Sequence, residues 1–397
     1  MWPPLLLVFS ISMTIAGTEA KPKEDHPGGQ WEGDDLSEAS MSFAISVYKL
    51  VSSKTARSPP NVFISPISIY TTLAMLGLGA RSSTRQQILG AMCLNDTQGS
   101  RILKEDYKSF LAKLRTENGD AEFTISNWFF PDDSIKVLPQ YKQDVANYYK
   151  SSVQGIDFTD PQNAEQKINE QVSGRTDGKI EDLVSDLDGQ TKMVLLDYAS
   201  FNAKWQNPFT KGTRQELSKS HSVAVPMMHR VGQYRTYKDR GLVFVEVPYT
   251  DQLVLLIIMP NDGKLNEVEQ NLSAQRVQCY LSKAKTSLLD LYIPQISLEQ
   301  QINVQYALLT MGVIQVFSDT ADLSRISPEP GLKVSRIYHK TLVKIAGNAT
   351  ESSGAEVIQT ITLPKALELR IDRPFLALVY NKEVKTVLLI GRVMDLS

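Results

Sequence analysis

Gly347-Asn348-Ala349-Thr350-Glu351-Ser352-Ser353-Gly354-Ala355-Glu356-Val357-Ile358-Gln359-Thr360-Ile361-Thr362-Leu363-Pro364 changes character half-way along its length. The first half is small and polar, carries glycine at 347 and 354, and offers neither an apolar helix face nor strong strand formers. It reads as exposed loop. The second half, Val357 to Leu363, is rich in β-branched residues, so it becomes a strand wherever a sheet offers it an edge. The segment leaves an apolar-alternating run, Leu342 to Ile345, and is therefore a conditional strand attached to a fixed one.

The remainder of the chain is that of a folded protein. Its 397 residues are 42% hydrophobic and 22% charged, an ordinary globular composition with material for a large core. The formal net charge is -2 with both signs mixed throughout, so no general attraction to nucleic acid or to an anionic membrane is expected. Partners are recognised locally, and a monomer is expected. Leu5 to Ile15 is apolar but too short to span a bilayer, and Thr18-Glu19-Ala20 supplies small residues where a signal peptidase reads. The expectation is a cleaved signal peptide over 1–20, a flexible polar leader over 21–35 and one ordered domain over 36–397, secreted to the extracellular space.

Chemistry-bearing motifs are scarce. There is no GxSxG elbow, HExxH pair, P-loop or CxxC pair, and the 4 histidines leave little for a metal site, so no catalytic residue, cofactor or metal is expected. Cys93 and Cys279 lie far apart; a single long-range disulfide and two separate buried thiols are both compatible with that spacing. Asn95, Asn271 and Asn348 each begin an Asn-X-Ser/Thr triplet, as in a secreted glycoprotein.

Local signals place the main elements. From Ser37, which can cap a helix, Phe43, Val47, Leu50 and Val51 fall on one face. Ser65-Pro66 is a cap followed by a first-turn proline, opening an apolar helix that ends near Gly77 and Gly79. Arg101 to Arg115 reads as a helix with Lys104, Lys108 and Lys113, whose basic face Glu105 and Asp106 interrupt; a solvated charged face follows. Phe123 to Phe130 and Met193 to Trp205 read as strands, Asp160-Pro161 as another helix start, and Leu242 to Val247 with Leu253 to Met259 as a hairpin. Strands and helices interleave without regular βαβ spacing, which predicts an α+β fold.

Several of these blocks together resemble the serpin family: Asn61-Val62-Phe63-Ile64-Ser65-Pro66-Ile67-Ser68, Phe317-Ser318-Asp319-Thr320-Ala321-Asp322-Leu323-Ser324, and the 347–364 segment between His339-Lys340 and Arg373-Pro374-Phe375. The resemblance covers nearly the whole mature chain and is nearest to the secreted alpha-1-antitrypsin-like group. It implies three β-sheets, about nine helices and an exposed reactive-centre loop. It further implies a serine protease inhibitor that acts as a suicide substrate, its loop entering the main sheet after cleavage. Counting back from Arg373-Pro374-Phe375 by the family's spacing puts the reactive bond between Leu363 and Pro364, to within one residue, and Leu363 suits a chymotrypsin-like protease. The hinge is then Ala349, Thr350, Glu351, Ser352, Ser353, Gly354, Ala355 and Glu356. Trp205 matches the tryptophan near the place where the loop enters. Ser65, Ser68, Asp197 and His339 match the polar cluster that controls sheet opening, with Asp197 standing where the family usually has Asn. A carboxylate beside a histidine makes either a charged pair or a satisfied core hydrogen bond.

Three departures point to an alternative, a non-inhibitory serpin acting as a hormone carrier or secretory chaperone. Strand alternation puts Thr350, Ser352, Gly354, Glu356 and Ile358 on one face, which the resemblance implies turns inward on insertion, and neutralising Glu356 for burial near pH 7 costs about 4 kcal/mol. Ala349 replaces a glycine common at the hinge, and a glycan on Asn348 crowds it. In the carrier members a small hydrophobic ligand sits between the first helix and a later one, here Ser42 to Lys49 and Gln275 to Lys283.

Overall fold

In the computed structural model, residues 34–54, 61–114, 121–211, 215–216, 224–346 and 366–395 are described. They all lie in the unit Gly33–Ser397. The helices are α1 (Asp34–Lys54), α2 (Pro66–Gly79), α3 (Ser82–Ala91), α4 (Asp96–Arg101), α5 (Tyr107–Leu114), α6 (Pro139–Asp144), α7 (Pro161–Arg175), α8 (Leu265–Asn271), α9 (Ala274–Lys283) and α10 (Gln305–Thr310). A π-helical turn, Ile102–Asp106, joins α4 to α5, and a second, Val145–Tyr149, extends α6. A 3-10 turn, Gln315–Phe317, follows α10.

One sheet has nine strands: β1 (Val62–Ile64), β16 (Thr386–Val393), β15 (Phe375–Asn381), β10 (Leu253–Pro260), β9 (Leu242–Pro248), β8 (Met227–Lys238), β11 (Lys285–Pro294) and β14 (Leu367–Arg370) in spatial order, with β5 (Thr210–Lys211) on β8. The second runs β12 (Ile296–Ile302), β13 (Arg336–Ile345), β4 (Met193–Ala203), β2 (Ala121–Pro131), β3 (Ser152–Val153). The third is the short pair β6 (Gln215–Glu216) and β7 (Ala224–Val225). Three sheets among interspersed helices make the α+β architecture expected from the sequence.

The burial follows from sequence pattern. Every residue of β10, Leu-Val-Leu-Leu-Ile-Ile-Met-Pro, is buried, as a central strand covered on both faces demands. The β9–β10 hairpin closes through Thr250, whose hydroxyl accepts from Leu253 N–H at 3.0 Å. Helix α2 is buried all round, because it lies between β2 and β4 on one side and β16 on the other. Its cap is as expected: Ser65 Oγ accepts from Ser68 N–H at 3.4 Å with Pro66 in the first turn. At α7, Asp160 accepts from Asn163 N–H at 3.2 Å.

Strand β4 separates two cores. Leu195, Ala199 and Phe201 enter the main core with α2, while Val194, Leu196 and Tyr198 pack with Trp128, Phe130 and the buried α7 residues Ala164, Ile168 and Val172. Asp197 falls by alternation on the α2 side. Boundaries shift from the sequence reading: the helix read over Arg101 to Arg115 opens with the π-turn Ile102–Asp106, and two further helices differ at an end. Helix α1 begins at Asp34, ahead of Ser37, and α7 runs through Gly174 to Arg175 before Thr176 caps it.

Candidate functional site

The feature on which the site is built is a seam. Strands β13 and β4 pair in parallel from Arg336↔Val194 to Lys344↔Asn202, with no strand between them. Their C-terminal ends therefore lie together. There the chain leaves β13, and it is described again at β14, in the other sheet, parallel to β11. The intervening residues, with the hinge positions Ala349 to Glu356, the sequon Asn348 and the bond between Leu363 and Pro364, lie outside the described residues. β14 is tied in by a row across three strands: Arg370 sits 3.9 Å over the Tyr292 ring, and His229 stacks on that ring at 4.4 Å and meets Asp290 at 2.5 Å.

Ser65, Ser68, Asp197 and His339 come together under the middle of the seam. His339 and Asp197 are direct register partners, both with fully buried side chains. Ser65 N–H donates to His339 Nε2 at 3.1 Å, so that nitrogen presents a lone pair. The proton then sits on Nδ1 and is donated to Asp197 Oδ1. The imidazole is neutral, and the contact is a core hydrogen bond to a carboxylate. Ser68 Oγ donates to the same oxygen at 2.8 Å, and Ser65 Oγ ties the group to Leu388 C=O of β16 at 2.9 Å. Asp197 Oδ2 has no hydrogen-bond partner among the described residues.

Sequence reasoning missed two members. Thr341 Oγ1 lies 2.9 Å from His339 Nε2, and Asn127 Nδ2 donates to Ser68 C=O at 3.1 Å and to Thr72 Oγ1 at 2.8 Å. Both were accessible in principle: each is a polar residue at a position where strand alternation points toward α2. With them the cluster links β2, β4, β13 and the first turns of α2.

Residues 38–396 match the family described as Serpin (serine protease inhibitor). The chain belongs to the serpin family. It is 33% identical over 366 residues to "Serine protease inhibitor A6" of Xenopus laevis, covering 91% of this chain and 84% of that one. It is 30% identical over 383 residues to "Alpha-1-antiproteinase" of Callosciurus caniceps, covering 95% and 92%. Among solved structures, human thyroxine-binding globulin complexed with thyroxine superposes with a TM-score of 0.81 at 28% identity, over 91% of this chain and 98% of that one. The family description is that of serine protease inhibitors, and one of these neighbours is a complex with a small ligand.

Elsewhere in this serpin, Trp205 lies just past β4 at the end of the seam where the chain leaves β13, stacked on Tyr249 at 4.2 Å and tilted against Phe209 at 5.1 Å. Asn95 and Asn271 are exposed, the latter donating to Glu267 C=O at 2.8 Å. The cysteines are free, and neither is the buried thiol expected: Cys93 is exposed and Cys279 half-buried. Cys279 lies on α9, and Cys93 follows α3 in a left-handed backbone conformation. Lys104 is not part of an open basic face, because it pairs with Asp144 at 3.0 Å. Among the described residues no helix is long and apolar enough to cross a membrane.

The space between α1 and α8 is occupied by polar side chains. Tyr48 O–H donates to Glu269 Oε1 at 2.5 Å, Arg392 Nη1 donates to Glu269 Oε2 at 3.4 Å, and all three are buried. Burial, then the Glu269 charge, pushes the Tyr48 hydroxyl well above its usual 10.0. Lys49 Nζ donates to Leu272 C=O at 3.0 Å, closing the rim on that side.

Proposed function

We propose that this serpin is a secreted inhibitor of a chymotrypsin-like serine protease, cut after Leu363 and acting by insertion of its own loop into the five-stranded sheet. The observation that carries this reading is the parallel β13–β4 seam. A segment that leaves the end of β13 and folds straight back between the two strands runs antiparallel to both, so it replaces one parallel pairing by two antiparallel ones, the more stable kind per residue. Insertion carries the Val357–Leu363 strand formers into the environment their composition favours.

The chemical step is acyl transfer. The protease serine attacks the Leu363 carbonyl, the bond to the Pro364 nitrogen breaks, and the protease is left as an ester on Leu363. A strand filling the length of β13, 10 residues, spans about 33 Å. An acyl-protease on its trailing end is drawn along the sheet by a distance of that order. Opening the seam inserts a further interstrand spacing of about 4.8 Å between His339 and Asp197, which breaks the bond between them. Ser65, Ser68, Asp197 and His339 thus act as a latch on sheet opening, and Trp205 marks the end at which the loop enters.

On this reading residues 1–20 are removed on secretion, 21–35 precede the serpin domain as a leader, and Asn95, Asn271 and Asn348 are glycan acceptors. Mixing with chymotrypsin yields a covalent complex that survives denaturing gel electrophoresis. Cleavage at Leu363 with no complex, and no rise in thermal stability of the cut protein, would overturn the inhibitor reading.

A second reading, a carrier or secretory chaperone, is favoured by Glu356 on the inward face, by Ala349 and by the Asn348 sequon, and thyroxine-binding globulin is a structural neighbour. The Tyr48–Glu269–Arg392 group fills the space between α1 and α8 with buried charge, so a hydrophobic ligand held between Ser42 to Lys49 and Gln275 to Lys283 would lie against α9 instead. Titration with thyroxine, followed by quenching of tryptophan fluorescence, tests it; saturable micromolar binding with no protease complex would establish the carrier.

A further inference from the structure

The C-terminal end of α2, the start of α3, the π-turn after α4 and the start of α6 line a half-open cavity of about 470 Å³. Its wall carries four cationic side chains, Arg81, Arg85, Lys104 and Arg325, against one carboxylate, Asp144. Leu78, Leu138 and Tyr141 supply an apolar floor. The volume lies within the range of small-molecule sites, which are typically apolar with a few placed polar groups.

The four cations divide into two kinds. Arg85 and Lys104 are held in place: Arg85 donates to Gly77 C=O and pairs with Asp96 at 3.2 Å, its side chain 6% exposed, and Lys104 pairs with Asp144 at 3.0 Å. Arg81 and Arg325 are exposed and make no ion pair among the described residues. Asp322, near Arg81, is already committed to Ser82 Oγ at 2.7 Å and Ser324 Oγ at 2.7 Å. Burial first, and then the charges of Arg85 and Arg81, drive Arg325 below its usual value, and the nearby carboxylates of Asp96 and Asp322 do not offset them. Three guanidiniums crowding one another are unfavourable in the empty protein, and a bound anion relieves them.

Tyr141 fixes the geometry of the floor, since its buried hydroxyl donates to Met75 C=O of α2 at 2.9 Å. Gly79 lets the wall close: a Cβ there would run into the side chain of Ile326, next to Arg325. Lys104 lies within one π-helical turn and Asp144 immediately precedes the other, irregularities that occur frequently at functional sites.

We propose that this cavity binds a small oxyanion ester, a phosphate or sulfate monoester whose charged head lies between Arg81, Arg85 and Arg325 and whose ring or chain rests on Leu78 and Leu138. Guanidinium forks suit the tetrahedral oxygens, and arginines set over an apolar floor suit a head and a body in one molecule. Its lining includes no residue of β13 or β4, so the proposal does not rest on the inhibitor reading.

The test is calorimetric titration of the whole protein at constant ionic strength with 4-nitrophenyl phosphate and 4-nitrophenyl sulfate, and with sodium chloride as the screen for unspecific charge effects. Saturable binding of one or both esters is expected, and which of them binds decides between a phosphate and a sulfate source. Charged hydrogen bonds of about 1.5–3 kcal/mol each correspond to a loss of roughly tenfold or more in affinity per arginine removed. Combining Arg81→Ala with Arg325→Ala, two exposed residues without ion-pair partners among the described residues, weakens binding by about a hundredfold or abolishes it. Asp144→Asn removes the one acid of the wall and tightens binding several-fold, a change of sign that damage to the fold does not produce. Absence of saturable binding by either ester, or equal binding by the double variant, would overturn the proposal.

Discussion

His339 and Asp197 face each other across the parallel seam between β13 and β4, joined through Nδ1 and Oδ1 with neither side chain reached by solvent. Their Cα atoms are paired by register, so the bond survives only while the two strands are neighbours. Asp197 also receives Ser68 Oγ, and no second donor reaches its Oδ2 among the described residues. A buried carboxylate half served in this way resists separation from its donors, because every lost donor leaves charge uncompensated in the core.

Replacing that carboxylate separates charge from shape. Asp197→Asn keeps an oxygen to accept from His339 and Ser68 and is expected to cost less than about 1.5 kcal/mol, whereas Asp197→Ala leaves the imidazole N–H and the Ser68 hydroxyl without an acceptor and costs about 3 kcal/mol. Urea unfolding midpoints of the two variants measure the difference. If both lose the same amount, the carboxylate oxygen is not what holds the cluster.

On the proposed inhibitor reading, Glu356 is expected to govern how the cleaved loop partitions. Glu356→Ala removes the penalty of about 4 kcal/mol for carrying a carboxylate inward, so more of each encounter with chymotrypsin ends as covalent complex and less as cut inhibitor. The ratio of the two bands on a denaturing gel reads this directly. An unchanged ratio would show that this side chain stays in solvent or finds a partner.

The nine-stranded sheet has one position with no room for a side chain. Gly391 of β16 lies against Phe63 and the Val62 carbonyl of β1, and a Cβ there would overlap both. The obstacle includes backbone and cannot rotate away, so Gly391→Ala is expected to destabilise by about 3 kcal/mol, at the upper end for an added methyl. Thermal unfolding measures it, with Gly90→Ala in α3, where nothing lies within 4 Å, as the stabilised or neutral control.

Alkali should unfold the protein in a defined window. Burial pushes the hydroxyls of Tyr48, Tyr70, Tyr149 and Tyr249 well above their usual 10.0, and that of Tyr234 up to about 12. Above pH 10 the unfolded chain loses these protons while the folded one keeps them, so the unfolded state binds fewer protons and stability falls as pH rises. Each fully buried tyrosine steepens the slope by about 1.4 kcal/mol per pH unit. Stability profiles between pH 8 and 12 should be flat and then fall; a profile flat throughout would mean that the hydroxyls ionise within the fold.

Much of this protein was readable without coordinates where the signal is local. Ser65-Pro66 and Asp160-Pro161 each satisfied a helix start within one turn, Leu253 to Met259 could only be an interior strand, and the blocks around 61–68 and 317–324 carried the family. The seam could not be read that way. Asp197 and His339 are 142 residues apart, Asn127 and Thr341 joined them only because two strands turned the same faces toward α2, and the arginine-lined cavity drew on separate stretches from Leu78 to Arg325. Caps, turns and periodicity act over one or two turns of chain, and so they are written in the order of the residues. Which strands lie side by side, and whose polar groups must then share one buried space, depends on long-range packing, so only the tertiary structure decided it.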